Sequence, residues 1–160
     1  MPQCSDPHHH VRNPKAYVQA VELACKDRGL NLTASRRMVL ELIADSEKPI
    51  KAYDLLETLK ESQASAAPPT VYRALEFLTE HAFVHRLESI NAYIACHHPG
   101  GEAHATPFLI CDTCQNAQEM EQALWVNQLE KDAKSAGFSV RDRIIELHGV
   151  CRACSDKSAS

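Results

Sequence analysis

The chain has 160 residues, 44% hydrophobic and 24% charged, which fits one ordinary domain or two small ones and excludes a disordered polypeptide. Its net charge of −4 argues mildly against a protein that coats itself in nucleic acid, and does not exclude a locally basic face. No apolar run approaches the roughly 18 residues a membrane span needs, and the opening MPQCSDPHHHVRNPK lacks the apolar centre of a secretory signal.

A cytoplasmic protein is therefore expected, with no membrane partner. Thiols stay reduced there, so cysteine clusters point to metal or redox chemistry. The seven cysteines are also an odd number, which internal disulfides cannot use up.

Residues 1–12 read as a disordered tail. It carries Cys4 and the run His8, His9, His10, which defines no ligand geometry by itself. Asn13-Pro14 reads as an N-cap and first helical residue, and Gly29 as the stop of a helix with Tyr17, Val21, Ala24 and Cys25 on one face. Cys25 falls on that stripe and reads as a small buried hydrophobe. Thr33 caps a second helix with Val39, Leu40 and Ile43 inward, and Pro49 closes the segment.

A third helix, KAYDLLETLKES, has Tyr53, Leu55, Leu56 and Leu59 as its apolar set. After the loop SQASAAPP, Pro68 and Pro69 open a fourth, with Val71, Leu75 and Leu78 inward. FVHRLES and NAYIAC then have strand character, with Ser89-Ile90-Asn91 turning a hairpin between them.

Short helices followed by a β-hairpin give the order of a winged helix-turn-helix, expected over 13–96, whose last helix enters the major groove of double-stranded DNA. Thr70, Tyr72 and Arg73 then lie near the exposed start of that helix. Arginine bonds guanine bidentately, and tyrosine reaches base edges or phosphate. Arg36 and Arg37 suit phosphates, with Lys15 and Lys51 as further cations. The rival is a solvated helical bundle with ordinary surface arginines. Residues 1–88 hold 11 Lys and Arg against 12 Asp and Glu, so attraction to phosphate must come from a patch.

CHHPGGEAHATP breaks the composition, and 97–106 reads as a hinge. A small α/β unit is expected over 107–155: strand PFLICD, a knuckle, a short strand, a helix ended by Gly137, and a long strand over FSVRDRIIELHG. Residues 156–160 read as a tail. The fold class is α+β.

CDTC and CRAC bracket this unit. Each CxxC loop turns two thiolates toward one point, so Cys111, Cys114, Cys151 and Cys154 make a tetrahedral cage suited to structural zinc, which contributes folding free energy directly. A thiol–disulfide exchange centre is the rival, but two pairs in one small unit favour zinc. A second set, His85, Cys96, His97, His98, His104 and Glu119, draws on both sides of the hinge, as a switch would. One thiolate with imidazoles and a carboxylate suits zinc better than iron or manganese. A zinc hydrolase would need an open coordination position and an acid–base pair, and no such pair is evident.

PPTVYRALEFL, FVHRLESINAYIACH, FLICDTC and IIELHGVCRAC closely resemble the zinc uptake regulator branch of the ferric uptake regulator superfamily, from about Leu32 to Cys154. The resemblance implies a structural zinc at Cys111, Cys114, Cys151 and Cys154 and a sensory zinc at His85, Cys96, His104 and Glu119, two ions per chain. It implies DNA contacts at Tyr72 and Arg73. It further implies a homodimer, joined through the C-terminal domains, that binds palindromic operators when zinc is plentiful and represses zinc-import genes, with one or more dimers per operator. His97-His98 offers alternative ligands, and His148 reads as structural. An iron- or peroxide-sensing member is the rival within the superfamily, and Cys96 argues against it. A thiol redox switch using one CxxC is a rival from another class.

Overall fold

The computed structural model describes residues 11, 13–62, 66–100, 106–120, 124–141 and 143–158. Two compact units divide the chain, one ending at Ala103 and the other formed by the residues that follow.

The first unit opens with α1 (Pro14–Asp27), where Asn13 Oδ1 accepts the N–H of Ala16 at 3.0 Å and Pro14 supplies a fixed φ at the first position. Gly29, at φ +65°, ends it in the left-handed region. Thr33 caps α2 (Ala34–Asp45). α3 (Ala52–Ser62) and α4 (Pro68–Glu80) follow.

A tight turn at Asn91, at φ +47°, joins β1 (Val84–Leu87) to β2 (Ala92–Ala95), antiparallel with Val84 opposite Ala95. Ile50 pairs with Tyr93 through two backbone hydrogen bonds of 2.9 and 2.8 Å, stitching the start of α3 to the wing. The core is the convergence of the four helical stripes on the wing: Val21, Val39, Leu40, Leu55, Leu75, Leu78 and Phe83 are fully buried. Each contributes roughly 1.5–3 kcal/mol by leaving water.

Two expectations need correction. Tyr53 is not part of the apolar set of α3, since it is 68% exposed, while Leu55, Leu56 and Leu59 are buried as expected. Tyr53 occupies the first turn of the helix, before its buried stripe of Leu55, Leu56 and Leu59 begins. The stretch read as a hinge also begins inside the first unit. Gly100, at φ +78°, lies so close to α1 that a Cβ there would sit 2.8 Å from Ala24 Cβ.

The second unit is a three-stranded sheet of order β4-β3-β5. It comprises β3 (Phe108–Cys111), antiparallel β4 (Ala117–Glu119) and parallel β5 (Glu146–Gly149). α5 (Leu124–Ser135) lies between β4 and β5 in the chain and stops near Gly137, at φ +78°. The expected long strand over 138–149 is only four residues, because β3 offers four partners, Phe108–Cys111, and no more. Phe138 and Ile144 stay exposed. α6 (Arg152–Ser158), a helix without an apolar stripe, follows and runs into the stretch expected as a tail.

Candidate metal and nucleic-acid sites

Cys111 ends β3 and is buried. Its carbonyl accepts the N–H of Gln115 at 2.9 Å, and its own N–H donates to Asn116 O, so the chain folds back as a knuckle with Cys114 inside. Gln115 takes φ +61° to close the turn. The second knuckle is the entry to α6, where the N–H groups of Cys154 and Ser155 donate to Cys151 O. Parallel pairing of β3 and β5 brings the knuckles together: Asp112 N–H donates to Gly149 O at 2.8 Å, and Cys151 N–H to Cys111 Sγ at 3.3 Å. His148 Nδ1 lies 2.8 Å from Asp112 Oδ1, a side-chain tie between the two CxxC segments.

The four sulfurs lie within 4.8 Å of one another, and Cys114 Sγ is 3.9 Å from Cys151 Sγ. A zinc tetrahedron with Zn–S bonds of about 2.3 Å has sulfur–sulfur edges of about 3.8 Å, so the cage fits that ion and leaves no open position. The electrostatics also favour a metal. Backbone N–H groups, that of Cys151 foremost, lower the Cys111 thiol from 9.0 to about 6. Hydrogen bonding with the Cys151 sulfur, then burial, pushes Cys154 up to about 12. Four thiols at this spacing cannot all ionise without a cation to share the charge.

In the first unit, His85 sits half-buried on β1 and Cys96, fully buried, directly follows β2. Their donor atoms lie within 4.8 Å of each other. The Cys96 N–H donates to Phe83 O at 3.0 Å, and the same carbonyl accepts the hydroxyl of Tyr17 from α1. His97 is half-buried and His98 exposed. Glu119, the last residue of β4 in the second unit, is buried. His104 lies outside the described residues, as do Cys4 and His8–His10.

Thr70, Tyr72 and Arg73 are exposed at the start of α4, as the helix periodicity requires. Arg73 and Tyr72 line a cleft of about 520 Å³ with Pro69, Arg86 and Tyr93. Arg36 and Arg37 have intramolecular partners. The Arg36 guanidinium stacks 3.7 Å from the centre of the Phe77 ring, and Arg37 is paired with Glu22 and with Glu41 at 2.8 Å. Phe77 and Glu22 come from α4 and α1, too distant in sequence for periodicity to reveal. Leu109 and Leu147, paired across β3 and β5 and so on one sheet face, are 37% and 50% exposed. No described helix is long and apolar enough to cross a membrane.

A winged helix-turn-helix followed by a unit closed with a four-thiolate cage defines the class of metal-dependent winged-helix regulators. The Ferric uptake regulator family model matches residues 27–148, and the chain belongs to that family. Over 139 residues it is 42% identical to the zinc uptake regulation protein of Escherichia coli K12, covering 86% of this chain and 81% of the relative. Among solved structures it is similar to holo XcZur, with 52% identity, 88% and 98% of the two chains covered and a TM-score of 0.83. It is also similar to a zinc uptake regulator complexed with zinc and DNA, with 38% identity, 92% and 99% covered and a TM-score of 0.88. The resemblance read from the sequence is thus borne out.

Proposed function

We propose that the chain is a zinc-responsive transcriptional repressor that binds palindromic operators of zinc-uptake genes as a homodimer in the cytoplasm. The observation that carries this reading is the pairing of a buried thiol with an imidazole in the wing, Cys96 with His85, apart from a cage that already holds four thiols. A cage with no open position suits structure, so a second, mixed-donor set is where a fluctuating zinc supply would be read. Zinc would be held there by His85 and Cys96 together with His104 and Glu119, giving two ions per chain. The name of the Escherichia coli relative and the zinc and DNA of the solved neighbour support the same assignment.

DNA is met by Thr70, Tyr72 and Arg73 from α4, with Arg36 and Arg37 toward the phosphates. Tyr53, an exposed aromatic of the same unit, joins them as a candidate. The second copy is met by the apolar sheet face of Leu109 and Leu147. Zinc acts by population shift: it makes dominant the arrangement of the two winged units that matches two half-sites, and affinity rises by the inverse of the competent fraction. DNA must then tighten zinc by the same factor.

The test is DNA binding against buffered free zinc, with iron(II) and manganese(II) in parallel. The reading requires a zinc-specific gain, and an equal or larger gain with iron(II) would transfer the chain to iron sensing.

A further inference from the structure

The geometry points to Glu76 as a second base-reading residue of α4, one that selects a cytosine beside the base taken by Arg73. The inference rests on the DNA-binding reading above and adds a sequence rule to it. Tyr72, Arg73 and Glu76 stand at positions i, i+1 and i+4 of one helix, all exposed, and all line the same cleft with Thr79, Arg86 and Tyr93.

Elsewhere in this unit opposite charges at close spacing find each other: Arg37 with Glu41, Lys60 with Glu57, Arg86 with Glu88. Arg73 and Glu76 are three residues apart, a spacing at which such pairs form readily. Yet among the described residues neither side chain makes an ion pair or a hydrogen bond. Both are left available to an outside partner.

A carboxylate on a surface that meets phosphate is repelled, and that repulsion weakens binding to every sequence alike. It is offset only where the carboxylate accepts a hydrogen bond, because an ionised carboxylate has no donor. In the major groove guanine shows acceptors, thymine an acceptor and a methyl group, and adenine a donor beside the acceptor N7. Cytosine shows the N4 amine alone. Three residues advance about 4.5 Å along a helix axis, and base pairs repeat every 3.4 Å or so. The cytosine therefore lies one or two base pairs from the base read by Arg73. Glu76 thus has two effects: it adds sequence preference, and it holds down affinity for unrelated DNA.

The experiment is selection of double-stranded DNA from a random library by the full-length, zinc-loaded chain, compared with Glu76→Ala, Glu76→Gln and Arg73→Ala. The wild-type chain is expected to prefer cytosine about tenfold at one position of each half-site, next to the position that Arg73→Ala relaxes. Glu76→Ala should reduce that preference to threefold or less, roughly, and bind unselected DNA several-fold more tightly. Glu76→Gln should move the preference toward adenine, whose N6 and N7 an amide can satisfy together.

If Glu76→Ala selects the wild-type site with the cytosine preference intact, while Arg73→Ala does not, Glu76 is no reader and the proposal falls alone. If the wild-type chain enriches no sequence at all, the DNA-binding reading falls and this proposal with it. Zinc content of the cage, measured on each variant, must match the wild type, since Glu76 is exposed and remote in sequence from it.

Discussion

Replacing Cys111 by Ser removes one of the four thiols of the proposed zinc cage, and one that is buried in its unit. Three buried side chains among the described residues of that unit, Phe108, Ile110 and Val126, contribute together roughly 5–9 kcal/mol. A structural zinc at a four-ligand site contributes about 10–16 kcal/mol. A zinc in the cage would on these figures contribute at least as much as those side chains, and a hydroxyl in place of the Cys111 thiolate should forfeit much of it. It also replaces the sulfur that accepts the Cys151 N–H by a hydroxyl oxygen held on a shorter bond.

The first unit has its own core and should not notice. Trp125, the one tryptophan of the chain, lies in α5, so its emission reports the second unit, whereas far-ultraviolet circular dichroism reports mainly α1 to α4. Trp125 is already 44% exposed, so the readout is cooperativity: Cys111→Ser should show no cooperative transition by fluorescence, with the helical transition of the first unit unchanged. Stripping the wild type with a strong chelator should give the same result, reversed by zinc only in the wild type. A zinc-free Cys111→Ser protein with a cooperative fluorescence melt would refute the reasoning.

Cys96→Ser should leave the cage loaded and the dimer intact by light scattering, while zinc-induced DNA binding weakens at least tenfold, in keeping with the loss of the sensory set's one thiolate. An unchanged zinc response would move the role to His97 or His98. Arg73→Ala should cost on the order of 1–3 kcal/mol on operator DNA and relax sequence preference. Arg36→Ala should weaken all sequences alike and also lower the stability of the first unit by about 0.5–2 kcal/mol through loss of the Phe77 stack, read by binding at several salt concentrations and by urea unfolding. The metal-free cage should depend on pH in two opposed ways. Cys111, lowered to about 6, adds stability above its ordinary 9.0 that is lost as pH falls through about 6. Cys154, raised to about 12, adds stability below 9.0 that is lost as pH rises through about 12. Cys154 must shed its proton to bind metal, so zinc affinity measured against a competing chelator should rise between about pH 6 and 8, and a flat profile would contradict this.

The four helices and the hairpin were legible because caps, Pro and Gly bracket clean 3.6-residue stripes: Asn13-Pro14, Thr33 and Pro68-Pro69 all open helices where they should. Tyr53 was misplaced because periodicity assigns a face to a helix but not the extent of the neighbour that covers it. The last strand was overextended because strand length is set by the partner, and β3 pairs over only four residues. α6 escaped notice because RACSDKS has no apolar stripe. In the sites, the cage was legible from ligand spacing alone. The second donor set was legible as chemistry, a thiolate among imidazoles, but not as geometry. Phe77 beneath Arg36 and Glu22 beside Arg37 come from other helices and leave no local trace in the sequence.

The carbonyl of Phe83 accepts both the hydroxyl of Tyr17 and the N–H of Cys96. A helix outside the proposed donor set thus shares one acceptor atom with the backbone of a proposed ligand, and substitutions at the two positions should be non-additive. Tyr17→Phe leaves every donor atom of the wing in place yet alters how firmly Cys96 is held. Sensitivity to zinc can therefore drift through epistasis with α1, and two descendants with identical ligands need not respond at the same zinc threshold.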